Sequence, residues 1–305
     1  MNTVLVTGAN GFVGNHLVKE LAENGYRVVG VSGKGGLKEE SLHISKHLAL
    51  DLTKPSETKS IDFKKVDCII HLAGLAAVRD SFNEPMKYIQ TNMGIELNLF
   101  EAALSQNSYP KFLIISSGSL YDPKAGLPLT ENSEILPTSP YAVSKIGQEQ
   151  LARYYMSRGF ECVIVRPFNH IGPGQGPGFI APDLALQIIQ AKASGKKDIA
   201  VGNLATKRDY TDVRDIVRAY RLLLEKGKSG EVYNVCSSRA YSGQQLLNGL
   251  VRAAGIKVNP KPDPLKNRPA DNPIIYGDYT KLQQATEWKP EISLEKTLAD
   301  IIGSL

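Results

Sequence analysis

Tyr141 and Lys145 stand four residues apart, directly after Ser139-Pro140, in the string SPYAVSK. Proline suits the first turn of a helix, so this spacing puts both side chains on one helix face near its N-terminus. A tyrosine hydroxyl ordinarily titrates near ~10 and exchanges protons poorly at neutral pH. An adjacent ammonium and the positive end of a helix dipole both favour the phenolate. The pair is therefore a device for moving a proton on and off a carbonyl or hydroxyl oxygen, with Lys145 expected to lower the Tyr141 pKa. As a bare motif, YxxxK is frequent by chance. Upstream, IISSGSLYD supplies Ser116, Ser117 and Ser119 just past an apolar run. A hydroxyl there can hold the same oxygen, although serines at a strand end are also ordinary turn residues.

A second group is built for a phosphate. TGANGFVG places Gly8, Gly11 and Gly14 straight after the first apolar run and at the opening of a helical stretch. The chain must turn tightly there, and its backbone must approach a pyrophosphate with no Cβ in the way. The helix must also sit close to the sheet with its first N–H groups facing the anion. In strand–turn–helix context this predicts dinucleotide binding. An NAD site usually carries an acidic residue ~20 positions further on, where it binds the ribose hydroxyls. Here that region reads VSGKGG, with Ser32 and Lys34 and no carboxylate before Glu39. A 2′-phosphate is not repelled, so NADP is favoured and NAD is the alternative. Asp51 in ALDLTK either bonds the adenine or caps a turn, and the residues alone leave both readings open.

These groups need a scaffold. Val4–Val6, Val28–Val31, Cys68–Ile70, Phe112–Ile115 and Cys162–Val165 are short apolar runs without strict alternation, as expected for parallel strands buried on both faces. Helical stretches lie between them at Gly14–Glu23, Pro85–Ser105 and Tyr141–Ser157. A further helix over Val213–Glu225 leads to a sixth strand at Glu231–Val235. Such alternation predicts an α/β protein: a Rossmann-type, doubly wound parallel sheet. GPGQGPG (Gly172–Gly178) and KPDPLKNRPADNP (Lys261–Pro273) are loops and cannot be central strands. They read as walls of a smaller α/β substrate lobe, interleaved in sequence with the sheet. The expected division is 1–168 and 208–238 for the cofactor-binding unit, and 169–207 and 239–305 for the lobe.

Composition bounds the partners. The chain has 305 residues, with 36 Lys+Arg against 31 Asp+Glu, a net charge of +5. Paired basic residues such as Lys64-Lys65 form no stripe, which argues against nucleic acid. Cys68, Cys162 and Cys236 are far apart and without metal-ligand spacing, so they read as small core residues in a reducing compartment. No stretch approaches the ~18 apolar residues that span a bilayer, and MNTVLVTGANGFVG lacks the features of a signal peptide. A cytoplasmic protein without a metal is expected.

Together the segments resemble the extended short-chain dehydrogenases/reductases, the NAD-dependent epimerase/dehydratase family that modifies nucleotide sugars. The likeness runs over nearly the whole chain, with the motifs in the family's order. It implies that Gly8, Asn10, Gly11, Phe12, Val13 and Gly14 form the cofactor loop. It adds Asp51-Leu52, the HLAG segment with Leu72, Ala73 and Gly74, and the helix residue Asn92 to the cofactor side. Tyr141 becomes the general acid/base, with Lys145, which also holds the cofactor ribose, so that both count on the cofactor side; Ser117 becomes the catalytic hydroxyl and, with Ser119, falls beside the substrate. RPFNHIGPGQ, RDYTDVRD and RPADNP resemble substrate motifs, which assigns Asn169, Arg208, Arg268 and Asp271 to a sugar-nucleotide diphosphate. A planar guanidinium suits that role, because it matches phosphate oxygens two at a time.

Three reactions are common on such a scaffold. Family dehydratases place acidic side chains immediately after the catalytic hydroxyl, where this chain has Gly118 and Ser119, so 4,6-dehydration is disfavoured. The second-half motifs look most like GDP-4-keto-6-deoxy-D-mannose reductases. That resemblance implies reduction of a C4 ketone by NADPH, giving GDP-D-rhamnose. A 4-epimerase with tightly bound NAD and a non-catalytic NADP-binding protein are the alternatives. Analogy with relatives also suggests a homodimer through the helices around Pro85–Ser105 and Tyr141–Ser157.

Overall fold

The computed structural model describes residues 2–33, 43–266 and 273–305. The first half runs β1 (Thr3–Thr7), α1 (Phe12–Glu23), β2 (Arg27–Ser32), β3 (Lys46–Ala49), a single-turn α2 (Pro55–Thr58), β4 (Cys68–His71), a single-turn α3 (Val78–Ser81), α4 (Pro85–Ser105), β5 (Lys111–Ile115), α5 (Pro140–Met156) and β6 (Cys162–Pro167). The second half runs β7 (Asn169–Ile171), α6 (Ile180–Ser194), β8 (Asp198–Val201), β9 (Lys207–Asp212), α7 (Val213–Lys226), β10 (Val232–Val235), β11 (Ala240–Ser242), α8 (Gly243–Ala254), β12 (Asn259–Pro262), β13 (Ile274–Ile275), α9 (Thr280–Thr286) and α10 (Leu294–Gly303).

A seven-stranded sheet has the order β10-β6-β5-β4-β1-β2-β3, and every neighbouring pair is parallel. The chain winds outward from β1 to β3, then crosses back to β4 on the other side of β1. That reversal opens a crevice at the carboxyl ends of β1 and β4, where ligands bind in open α/β sheets. The apolar runs are explained by burial on both faces. Val4 and Val6 of β1 join one core with Leu17, Leu21, Tyr220, Leu223 and Trp288. Leu5, between them, joins the opposite core with Leu99, Phe100, Phe112, Tyr155 and Phe160. Thus α1 and α7 cover one face, while α4 and α5 pack together on the other.

β3 was no apolar run in the sequence. Its residues KHLA are half-buried or exposed, as befits an edge strand.

A smaller sheet has the order β11-β9-β13, with β7 also paired to β9, and β8 pairs with β12. Leu184 and Ile188 of α6, Leu246 and Leu250 of α8, and Leu298 and Ile301 of α10 share a separate core. β9 opens the stretch 208–238 expected to belong with the large sheet, yet its ladder partners are all in the small one. The chain changes sheets at Asp212, which caps α7 by accepting from the Arg214 N–H. It changes earlier at Phe168, the single residue between β6 and β7.

Candidate active site

The crevice begins with glycines that cannot be replaced. Gly8 has φ +70°, and a Cβ there would lie 3.0 Å from the Ala73 nitrogen. A Cβ on Gly14 would lie 2.1 Å from the Gly8 carbonyl oxygen, so α1 starts hard against the turn. Thr7 completes the shape: its hydroxyl accepts from the N–H groups of Leu72 (3.1 Å) and Ala73 (3.0 Å) and pairs with His71 Nδ1 (2.9 Å). No sequence argument singled out Thr7, although a threonine ending a strand before the first glycine is a visible signal.

The resulting cavity, of about 610 Å³, is lined by Gly8, Asn10, Gly11, Ser32, Asp51, Leu52, Leu72, Ala73 and Gly74, all expected on the cofactor side. Gly33, Lys54 and Ile95 line it as well. No side chain caps the start of α1. A glycine cradle that any Cβ would fill, opening on a helix N-terminus, fits a dinucleotide pyrophosphate.

Other expected cofactor residues lie outside the lining. Phe12 heads α1 and stacks on His170 with ring centroids 6.3 Å apart, Val13 packs on the core, and Gly14 is spent on the close turn. Asn92 is fully buried: its Oδ1 accepts from Leu75 N–H (2.8 Å), while Nδ2 donates to the Leu75 carbonyl (3.2 Å) and to Ser144 Oγ (2.9 Å). It clamps the segment after Gly74 rather than lining the cavity. Asp51 lines the cavity and also makes the turn, its Oδ1 accepting from the N–H and hydroxyl of Thr53. Lys34 lies outside the described residues.

The residues expected to transfer a proton come together around the start of α5 and the end of β5. Ser139 caps α5 by accepting from Ala142 N–H at 3.1 Å, and Pro140 fills the first turn, as the string SPY predicts. Tyr141 and Lys145 share a face, with the Lys145 Nζ 5.8 Å from the Tyr141 ring centroid. Lys145 donates to the Ile115 carbonyl at 2.8 Å, at the end of β5. Ser117, two residues on, lies 2.9 Å from Ser119 Oγ and accepts from the Ser119 N–H at 3.1 Å.

Electrostatics corrects one expectation. Burial pushes the Tyr141 hydroxyl up to about 12, against the pull of the Ser117 hydroxyl. Burial likewise pushes the Lys145 ammonium down to about 8, opposed by the charge of Glu96. Desolvation thus outweighs the Ser117 hydrogen bond, and the hydroxyl moves up rather than down as the spacing with Lys145 suggested. The buried tyrosine keeps its proton at neutral pH.

In the smaller sheet, Asn169 is exposed at the start of β7, in register with Tyr210 of β9. Arg208 lies on β9 between Tyr241 and Ile275, and its Nη1 donates to the Lys207 carbonyl. Asp209, its neighbour, points inward and accepts from Ser237 N–H (2.7 Å) and Ser237 Oγ (2.6 Å), so it is committed to the core. Arg268 and Asp271 lie outside the described residues. Among the described residues no cluster of three metal-ligating side chains exists, and no helix is long and apolar enough to cross a membrane.

A family model described as GDP-mannose 4,6 dehydratase matches residues 5–301. GDP-6-deoxy-D-mannose reductase of Pseudomonas aeruginosa is 33% identical, over 98% of this chain and 96% of that one. A solved structure of RMD from the same organism, complexed with NADPH, superposes with a TM-score of 0.89, covering 100% of this chain and 98% of its own. UDP-glucose 4-epimerase from Bifidobacterium longum, in complex with NAD+ and UDP, is 26% identical with a TM-score of 0.89, covering 99% and 98% of the two chains. A rice (Oryza sativa subsp. japonica) UDP-glucose 4-epimerase 4 is 27% identical over 98% of this chain and 88% of its own. With its cradle, its Ser117–Tyr141–Lys145 set and these likenesses, the chain belongs to the GDP-mannose 4,6-dehydratase family of NAD(P)-dependent enzymes that act on nucleotide sugars.

Proposed function

We propose that the protein reduces the C4 ketone of a nucleotide-linked 4-keto-6-deoxyhexose with NADPH, the favoured substrate being GDP-4-keto-6-deoxy-D-mannose and the product GDP-D-rhamnose. The observation that carries this reading is at Gly118. A Cβ there would lie 3.0 Å from the Phe168 ring, so an acidic side chain after the catalytic hydroxyl would have to displace that ring. Ser119 follows with a hydroxyl. The extra acid and base that dehydration requires are thus missing where that reaction would use them. The absence of a carboxylate at Ser32-Gly33, the end of β2, favours NADP, and the reductase relative crystallised with NADPH supports that choice.

NADPH, when bound, supplies the hydride. Tyr141 donates its hydroxyl proton to the C4 oxygen as that oxygen becomes an alkoxide, and Ser117 donates a hydrogen bond to the same atom. Lys145 places a positive charge beside the phenolate left behind. Asn169 and Arg208, with Arg268 and Asp271, are proposed to hold the sugar nucleotide. In this reading 1–168 and 208–238 carry the cofactor, and 169–207 and 239–305 the substrate. We further infer a cytoplasmic homodimer through α4 and α5, whose Met86, Leu97, Val143 and Tyr154 are exposed.

The test is direct. Purified protein given GDP-4-keto-6-deoxy-D-mannose should oxidise NADPH, and Tyr141→Phe should lose about 10²–10⁴-fold in kcat while still binding NADPH. Tightly held NAD that copurifies, with no NADPH consumed, would instead carry the 4-epimerase reading.

A further inference from the structure

Glu96 has no counterpart in the roles described so far. It lies on the inward face of α4, among Tyr88, Ile95, Leu99 and Phe100, and is completely buried. Neither carboxyl oxygen has a hydrogen-bond partner. Gln148 of α5 is the one polar side chain that reaches towards the carboxyl, and its own Oε1 is also without a partner. A buried, unpartnered carboxylate is strongly unfavourable in the charged form, so such a group either serves a neighbour or keeps its proton.

The helix register says which neighbour. Asn92 of α4 bonds Ser144 of α5. One turn further along both helices come Glu96 and Gln148, so the two helices run side by side and Glu96 faces the turn of α5 that holds Lys145. The titratable groups that act on Glu96 from the elements packed against it are Lys145 and Glu149 of α5 and Cys162 of β6. Glu149 is already bound by Arg166 in a buried ion pair. Lys145 bonds a neutral carbonyl, that of Ile115. The ammonium beside Tyr141 and the orphaned carboxyl are therefore the two members of this cluster whose charges are unmatched.

We propose that Glu96 and Lys145 form a buried acid–base pair that sets the charge beside Tyr141, with Glu96 a positioning residue acting through Lys145. No hydrogen bond or ion pair joins Glu96 to Lys145, so the coupling acts through space: a negative charge on the carboxyl favours the ammonium, and the ammonium in turn favours the carboxylate. The catalytic meaning of this pair rests on the Tyr141 proton transfer proposed above.

The pair itself is testable without turnover, so its failure and that of the reductase reading are separable. The side-chain ε-carbon of Lys145, in protein carrying ¹³C-lysine and assigned by its loss in Lys145→Met, reports the titration of the amine by NMR. In Glu96→Gln the Lys145 midpoint should move to lower pH by about half a unit or more, because an amide cannot supply the negative charge. Should the variant fold poorly, wild-type protein carrying ¹³C-glutamate decides the matter. The Glu96 carboxyl carbon should then show an inflection at the Lys145 midpoint. An unmoved Lys145 midpoint in a folded Glu96→Gln protein, even with lowered stability, overturns the pair. So does a wild-type Glu96 that titrates alone near ~4.3 like an exposed carboxyl.

Discussion

Arg166 grips Glu149 through two parallel bonds, Nε to Oε1 and Nη2 to Oε2, each 2.8 Å long, with both side chains 2% exposed. Ser116 adds its hydroxyl to the same Oε1 at 2.7 Å, and Arg166 Nη1 donates to the Tyr121 hydroxyl, which in turn donates to Asn234 Oδ1 at 2.6 Å. Burial raises the Glu149 carboxyl, but Arg166 and Ser116 bring it below the usual carboxylate range. Glu149 is one helical turn beyond Lys145, and Ser116 precedes Ser117. The pair therefore ties the end of β5 and β6 to α5 one turn from Lys145.

Removing one partner strands a buried charge. Arg166→Met is expected to lose about 3–5 kcal/mol of stability in urea unfolding, whereas Arg166→Met combined with Glu149→Leu should recover part of that loss. A single variant within about 0.5 kcal/mol of wild type would show that the pair bears no structural load.

Gly33 offers a clean probe of cofactor choice. A Cβ there meets nothing within 4 Å, and the residue lines the cavity beside Ser32. Gly33→Asp should weaken NADPH by about 10-fold or more, since a carboxylate repels a 2′-phosphate, while NADH binding holds or improves. Fluorescence titration with both cofactors checks this; parallel losses for the two contradict it.

His71 makes stability fall in acid. Burial, with the Lys145 charge adding to it, pushes the imidazole from its ordinary value down to about 3. Its folded-state pKa is depressed, so between about pH 6.5 and 3 the unfolded chain binds a proton that the folded chain refuses. Stability then rises with pH across that window and is lost as pH falls, by about 2 kcal/mol between pH 7 and 5. Urea midpoints of wild type and His71→Asn at those two pH values test it. The variant should lack this part of the slope, and identical slopes would discard the assignment.

Much of the large sheet is readable because strands buried on both faces must be apolar throughout. β1, β2, β5 and β6 stand out for that reason, and α4 matches its expected bounds of Pro85–Ser105. β9 was not legible as a strand of the smaller sheet, because KRDYTD reads as a charged loop. Its buried Asp209 is charged, and only a partner far along the chain, Ser237, makes that burial tolerable. Tyr141 and Lys145 announce themselves through local spacing, whereas Ser117 is singled out from Ser116 and Ser119 only by the family resemblance. Arg166 and Glu149 do not, since two charges on different elements become a pair only in space. Glu96 reads as one charge on a helix until packing buries it. The sign of the Tyr141 shift also depended on burial, which spacing alone does not report.

Phe168 carries a mechanical consequence. Its ring is held so tightly that a Cβ on Gly118 or Gly277 would come within 3.0 or 2.6 Å of it. A one-residue connection wedged between two glycines acts as a weld rather than a hinge. The second crossing, from Asp212 straight into Val213, is equally short. Jaw-like closure of one sheet against the other would have to break both joints. On the proposed reading, a sugar nucleotide lying between Tyr141 and β9 would be measured against a fixed span, and the adjustments that admit or reject it would fall to loops and side chains.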